Sequence, residues 1–117
     1  MAIKKFEDVI VWQKAQEFAV AIYSEFTNCK DYGFRDQITR AVVSISNNIA
    51  EGFERGTNAD FKRFLYFAVS SNSEVRSMLY LAEKLSYLGI PQSLILIEKS
   101  NEISKMLYGL IKSITKP

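Results

Sequence analysis

The chain of 117 residues contains no histidine and only one cysteine, Cys29. Without histidine, neither a Ser-His-Asp triad nor a Cys-His pair can form, and the Glu-x-x-His pairs of di-iron helical bundles are absent. Zinc sites built from cysteine and histidine are excluded, and a single cysteine cannot form an intrachain disulfide. We therefore expect no catalytic residues, no bound metal and no cofactor, and we interpret the protein as a non-enzyme.

Long apolar segments are also lacking. Uninterrupted apolar runs such as residues 64–69 and 94–97 contain at most six residues, far fewer than the roughly 20 residues that span a bilayer. The first residues turn acidic at Glu7 and Asp8, where a signal peptide would need its apolar stretch. These patterns predict a cytoplasmic protein that does not enter a membrane.

The balance of charge is nearly even. Lysine and arginine number 15 against 13 aspartate and glutamate, and the resulting net charge of +2 is too small to indicate nucleic-acid binding by itself. The chain length is typical of one domain, and a hydrophobic fraction of 48% is ordinary for a globular protein. We therefore expect a single domain over residues 1–117.

Apolar side chains recur at helical spacing along four segments separated by short breaks. The predicted helices cover about residues 9–28, 34–53, 58–88 and 91–115. Because breaks this short force each helix to fold back on the one before, the predicted fold is all-α, an antiparallel up-down-up-down four-helix bundle.

Residues typical of helix ends lie near these breaks. Asp8 is a candidate N-cap of the first helix, and Gly33 lies in the break that follows it. Thr57 begins a capping-box pattern before the third helix. Gly89 is expected to end that helix, and Pro91 suits the first turn of the fourth.

A polar face on the second helix opposes its apolar stripe. On the third helix, Glu74 shares a row with Phe67, Leu81 and Leu88, which indicates that its carboxylate points inward or into an interface. A buried carboxylate must be paired or protonated, and Arg40 is at a plausible height to reach it. We therefore predict a buried polar network that holds the bundle and its interfaces, formed by Gln37, Arg40, Ser44, Asn48, Glu51, Ser71 and Glu74.

The third helix carries more apolar surface than one bundle can bury. Its apolar and aromatic rows cover well over half of the circumference, and a large exposed apolar patch usually marks an interface. The sequence therefore predicts a homo-oligomer, although isolated surface hydrophobes are also common. The candidate interface residues are Val43, Ala50, Tyr66, Phe67, Tyr80 and Tyr87.

Nearly the whole chain resembles the small bacterial four-helix-bundle proteins encoded in intervening sequences of 23S rRNA genes. The motifs that carry the resemblance are Phe6…Trp12…Ala15, Gln37-x-x-Arg40-Ala41, Ser44-Ile45-x-x-Asn48-Ile49-Ala50-Glu51-Gly52, Phe61-x-x-Phe64-Leu65, Ser71-x-x-Glu74 and Leu88-Gly89. Val9 stands where leucine is usual, and Asn72 is polar for its place. The resemblance implies an antiparallel bundle that commonly assembles as a ring-like homopentamer. A related branch serves as an accessory protein in diversity-generating retroelements, where it binds nucleic acid and a reverse transcriptase.

The predicted topology collects basic residues at one end of the bundle. An oligomer would repeat this charge around a rim and could attract RNA or DNA without reading its sequence, although an ordinary solvated end would look the same. The candidate nucleic-acid-binding residues are Lys4, Lys5, Arg55, Lys62, Arg63, Lys112 and Lys116.

These features favour a scaffold or accessory protein over two alternatives. One alternative is an adaptor whose oligomer presents a repeated surface to another protein. The other is a small-molecule binder or enzyme that uses Arg40, Glu51 and Glu74 in a cleft.

Overall fold

The computed structural model describes residues 3–115, and within these residues all regular structure is helical. A short 3-10 helix, Phe6–Asp8, precedes α1 (Ile10–Phe26), α2 (Tyr32–Glu54), α3 (Asn58–Lys84) and α4 (Ile90–Thr115). The predicted all-helical class with four long helices is confirmed.

The four helices enclose a shared apolar core. The apolar stripe of α1 is buried and includes Phe18, Ile22 and Phe26. Each other helix buries its own stripe against them, and full burial of one such side chain stabilises the fold by roughly 1.5–3 kcal/mol.

The helices lie side by side in a rod of 47 × 21 × 19 Å. Helix α1 packs against α2 and α4, and α3 packs against α2 and α4. Along α2, Gln37 contacts Glu74 of α3, whereas the later residue Ser44 contacts the earlier residue Ser71. Pairing in this opposite residue order recurs between α3 and α4, where the contacting pairs are Asn72–Ser100 and Tyr66–Tyr108.

The beginnings of α1 and α2 differ from the prediction. Asp8 is not the N-cap of α1, because it belongs to the 3-10 helix and Val9 precedes α1 without a side-chain cap. Helix α2 begins two residues early, so that Gly33 lies inside its first turn. The reason is Asp31, whose carboxylate accepts a hydrogen bond of 3.1 Å from the Phe34 N–H and thereby caps the helix.

Helix α3 begins as predicted but ends sooner. Thr57 accepts the Asp60 N–H at 3.1 Å, which confirms the predicted cap. The helix ends at Lys84 because Ser86 adopts a left-handed conformation with φ of 63°. The Tyr87 N–H then donates to the Ala82 carbonyl at 2.8 Å, the bond that closes a Schellman motif.

Among residues 3–115, none of the helices combines the length and the apolarity that a membrane crossing requires.

Candidate functional site

Three members of the predicted polar network meet at the seam between α2 and α3. The Ser71 hydroxyl donates to the Ser44 hydroxyl at 3.0 Å. The Asn48 amide donates to both the carbonyl and the hydroxyl oxygen of Ser44, at 2.8 and 2.9 Å. All three side chains are half-buried, so the Ser71–Ser44 bond ties α2 to α3 at the edge of the core rather than within it, and the two Asn48 bonds stay within α2.

Within the single chain Glu74 lies at the surface and does not point into the bundle, whereas its place in a subunit interface stays a prediction. Its carboxylate accepts a hydrogen bond of 3.2 Å from Gln37, and both side chains are exposed. The Arg40 side chain is also exposed, and its guanidinium group forms no hydrogen bond or ion pair with residues 3–115. The row does not face the core along α3, because its two apolar members within the helix, Phe67 and Leu81, are themselves exposed, whereas the buried Leu88 lies beyond the helix end.

The polar face of α2 borders an open groove of about 600 Å³ beside Tyr23 of α1. Arg40, Ser44, Asn48 and Glu51 line this groove, whereas Glu74 does not. The three residues predicted for a small-molecule cleft therefore do not lie together, since Arg40 and Glu51 line the groove and Glu74 lies outside it. Within the described residues 3–115, no three histidine, cysteine, aspartate or glutamate side chains are placed to hold a metal ion.

A buried polar pair that the sequence analysis missed joins α3 to α4. The Asn72 amide donates to the Ser100 carbonyl at 3.0 Å, and the Ser100 hydroxyl donates to Asn72 Oδ1 at 2.9 Å. Asn72 is 1% exposed and Ser100 is fully buried. A signal was present, since each residue interrupts an apolar row, Leu65-Asn72-Leu79 on α3 and Leu96-Ser100-Ile103 on α4.

The candidate interface residues divide into three groups. Val43 and Ala50 are half-buried within the chain. Tyr66, Phe67 and Tyr80 of α3 are exposed over 44%, 44% and 53% of their surface and remain available to another molecule.

Tyr87 is the third case, because it already has partners in its own chain. Its hydroxyl donates to Asp31 at 2.7 Å, and its ring meets Phe34 edge to face, with ring centroids 5.3 Å apart. The Tyr87 hydrogen bond, together with the Phe34 N–H, lowers the pKa of Asp31. The same hydrogen bond raises the pKa of Tyr87, because it stabilises the protonated phenol, and partial desolvation adds to this effect.

Four of the candidate basic residues occupy two neighbouring places at the start of α3. The guanidinium groups of Arg55 and Arg63 lie 4.9 and 5.1 Å from the centre of the Phe64 ring. Lys62 and Lys112 line a groove between α3 and α4. Asp60 partly neutralises this positive charge, because its carboxylate lies 3.8 Å from the Arg63 guanidinium group.

The remaining basic candidates are near the chain ends. Lys4 and Lys5 are exposed and precede the 3-10 helix, which packs on α1 and α2. Lys116 lies outside the described residues.

Gly52 explains one feature of the motif that ends α2. A Cβ atom added at Gly52 would lie 2.5 Å from the Cβ of Phe64, which is much shorter than any ordinary contact. Glycine therefore permits α2 and α3 to approach closely at this point, directly beside the Arg55–Phe64–Arg63 cluster.

These features define a small all-helical bundle protein with polar, basic and aromatic side chains on its surface. The model of the 23S rRNA-intervening sequence protein family matches residues 7–109. The chain belongs to this family, as the sequence motifs predicted.

A solved structure supports the fold. The chain is similar to a protein of unknown function from the S23 ribosomal protein family of Bacteroides thetaiotaomicron, with 33% identity and a TM-score of 0.82. The alignment covers 87% of this chain and 98% of that chain. No curated protein matches the sequence.

Proposed function

We propose that this chain is a non-enzymatic, cytoplasmic, homo-oligomeric scaffold or accessory protein that binds nucleic acid without reading its sequence. The observation that carries the proposal is the exposure of large apolar side chains on α3 and α4. Leaving such side chains in water forgoes roughly 1.5–3 kcal/mol each, and a contiguous exposed patch usually marks an interface. The exposed apolar residues of these two helices, together with Leu85 directly after α3, are Tyr66, Phe67, Tyr80, Leu81, Ile90, Leu94, Ile95 and Tyr108.

The proposal includes the antiparallel up-down-up-down arrangement of the four helices. The opposite residue order of the α2–α3 and α3–α4 contacts supports it. So does the contact between the end of α1 and the start of α2, where the Phe26 and Phe34 ring centroids are 5.7 Å apart. The Tyr87–Asp31 bond further links the α1–α2 and α3–α4 connections, which belong at one end of such a bundle.

Five subunits are proposed from the family resemblance, and the exposed side chains of α3, among them Phe67, Tyr80 and Leu81, supply a surface for their contact. Light scattering after size-exclusion chromatography tests this, with an expected mass of five copies of the 13.4 kDa chain. Leu81→Lys should reduce that mass, because it places an unpaired charge in the interface. Val20→Lys is the matched control, since Val20 is an exposed residue of α1. If the wild type has the mass of a single chain, the proposed homo-oligomer is wrong.

The nucleic-acid part of the proposal rests on the basic residues around the start of α3. A labelled oligonucleotide should bind at low salt and weaken steeply between about 50 and 200 mM salt, because binding releases counterions from the phosphates. Arg55→Glu and Lys112→Glu should each reduce the affinity. Lys30→Glu makes the same change of charge in the α1–α2 connection and should leave it unchanged. Binding that ignores salt, or no binding to RNA or DNA, contradicts this part.

A protein-binding adaptor is the second candidate, and the α3–α4 connection favours it. Leu85, Ile90 and Leu94 are exposed on both sides of this connection, so another protein could cover them. Purification from the native host distinguishes the two candidates: bound nucleic acid supports the first, and a single stoichiometric protein supports the adaptor.

A further inference from the structure

A groove with aromatic walls and basic rims lies between the start of α3 and the end of α4. It has a volume of about 560 Å³ and is open to solvent. Its lining residues are Lys62, Tyr66, Tyr108, Ile111, Lys112 and Thr115. The sequence predicts Tyr66 as a subunit contact and gives no signal for Tyr108, because the two tyrosines are 42 positions apart in the chain.

The two tyrosine rings form the walls of the groove. Their centroids are 6.5 Å apart, and their planes meet at 73°. Tyr66 and Tyr108 expose 44% and 50% of their surface, whereas Ile111 beneath them is buried. The rings are therefore held by each other and by the core, and they still offer aromatic surface to a ligand.

The charges of the groove are of one sign. Lys62 precedes Tyr66 by one helical turn on α3, and Lys112 follows Tyr108 by one turn on α4. Residues at this spacing lie on the same face of a helix, so each tyrosine has a lysine beside it. None of the lining residues is acidic, and no carboxylate among residues 3–115 forms an ion pair with either lysine.

We propose that this groove binds single-stranded nucleic acid, with an unpaired base stacked on a tyrosine ring and the lysines contacting the adjacent phosphates. The inference rests on the proposed nucleic-acid binding and names the form of nucleic acid that the site recognises. Aromatic side chains in a positively charged groove are the usual means of holding single strands, because every base offers a stacking face. In a duplex, both faces of a base are covered by its neighbours, so only the lysines could be engaged.

Charge complementarity selects this occupant over a second subunit. An apolar partner surface that covered the tyrosines would also remove water from Lys62 and Lys112, and burying an unpaired ammonium group is unfavourable. A phosphate backbone supplies the opposite charge at the rims while an unpaired base stacks on the exposed surface of one of the two rings. The proposal therefore assigns Tyr66 to the ligand rather than to a subunit contact.

The test compares the full chain with tyrosine variants in a fluorescence anisotropy assay. The probe is a labelled oligothymidine of about 15 nucleotides, the upper end of the site size of a small single-strand-binding domain. Its duplex with oligoadenosine is the second ligand. The single strand should bind more tightly than the duplex, and Tyr108→Leu should weaken it by about ten-fold or more, because one stacking contact is lost. Tyr108→Phe, which keeps the ring, should bind as the wild type does.

Tyr32→Leu is the matched control for the loss of an exposed tyrosine, because Tyr32 is exposed at the start of α2 and does not line the groove. It should leave the affinity unchanged. Circular dichroism and light scattering on each variant verify that the fold and the oligomer mass are retained.

Four results would overturn the inference. If Tyr108→Leu binds normally while Lys112→Glu binds weakly, the stacking site is wrong and the proposed electrostatic binding stands. Equal affinity for the single strand and the duplex leads to the same conclusion. If Tyr108→Leu changes the oligomer mass and not the affinity, the groove is a subunit contact. If neither ligand binds to the wild type at low salt, the proposed nucleic-acid binding fails together with the groove.

Discussion

Helix α3 packs against α2 on one side and against α4 on the other. The polar contacts between the helices lie near the surface on the first side and inside the core on the second. On the α2 side, the hydrogen bonds of Ser71 and Glu74 lie at the edge of the core or on the surface. On the α4 side, Asn72 and Ser100 form two hydrogen bonds inside the core. The same helix therefore carries one polar contact that water can replace and one that it cannot reach.

This difference indicates where polar groups determine stability. A hydrogen bond at the surface exchanges with water and contributes little when it is removed, whereas a buried group that loses its partner carries its full desolvation penalty. The α2–α3 seam is instead determined by shape, since Gly52 allows the close approach of Phe64.

Removal of the buried pair should have the largest effect. Asn72→Ala deletes both hydrogen bonds to Ser100 and leaves a cavity, so the free energy of unfolding should fall by about 2–4 kcal/mol. Denaturant unfolding followed by circular dichroism, at a fixed protein concentration, measures this change. The double variant Asn72→Leu with Ser100→Ala removes both polar partners and should recover most of the loss, because the half-buried Arg76, which donates to the Ser100 hydroxyl at 3.4 Å, can bond to water instead. A change below about 0.5 kcal/mol for Asn72→Ala would contradict the comparison.

A smaller effect is expected where α2 meets α3. Gly52→Ala places a Cβ atom 2.5 Å from the Phe64 Cβ, so the helices must separate. Overpacking costs about 1–3 kcal/mol, and the better helix propensity of alanine offsets up to about 1 kcal/mol. The variant should therefore unfold at lower denaturant concentration than the wild type.

Gly109→Ala is the matched control for Gly52→Ala. Gly109 lies within α4, and a Cβ atom there would have no neighbour within 4 Å. Only the gain in helix propensity remains, so this variant should be more stable by about 0.5–1 kcal/mol. The same sign for both variants would show that close approach is not the reason for glycine at position 52.

The hydrogen bond between Tyr87 and Asp31 should give a weaker, pH-dependent effect, because it is exposed. The pKa of Asp31 lies below its ordinary value of 3.8. The ionised carboxylate therefore stabilises the fold above that value, and this stabilisation is lost as the pH falls through the lowered pKa. The pKa of Tyr87 lies above its ordinary value of 10.0. The protonated phenol therefore stabilises the fold at neutral pH, and this stabilisation is lost as the pH rises through the raised pKa. Tyr87→Phe should therefore lower the melting temperature at neutral pH.

Thermal unfolding of the wild type and Tyr87→Phe across the pH range tests this prediction. The two melting curves should converge at both acidic and strongly alkaline pH, because the wild type has then lost the same bond. A difference that is constant with pH would show that the lost hydroxyl acts through packing against Phe34 rather than through Asp31.

Much of the fold follows from the sequence, because helical periodicity fixes which residues face the core. The stripes on α1 and α2 are buried as predicted. The helix ends follow less well, because they depend on backbone conformation. A serine rather than a glycine adopts the left-handed conformation after α3, and no sequence pattern in this region distinguishes Ser86 from Gly89.

The candidate site was harder to predict, and α3 shows why. Because apolar residues surround this helix, periodicity alone does not indicate which stripe faces the core. Glu74 was therefore placed with the inner residues, whereas Asn72, two positions earlier, is the polar side chain that is buried. The contact between Tyr66 and Tyr108 depends on how α3 and α4 pack against each other, and no local sequence motif indicates that packing.

The smallest effect is expected for Glu74→Ala, and this variant tests the comparison most directly. In the isolated chain, the Glu74 carboxylate is exposed and its hydrogen bond to Gln37 can be replaced by water. The free energy of unfolding should therefore change by less than about 0.5 kcal/mol, and light scattering should give the wild-type mass. A loss of more than about 2 kcal/mol, which is typical of removing a buried charged partner, would mean that another subunit covers this seam. The two sides of α3 would then both bury polar groups, one within the chain and the other between chains.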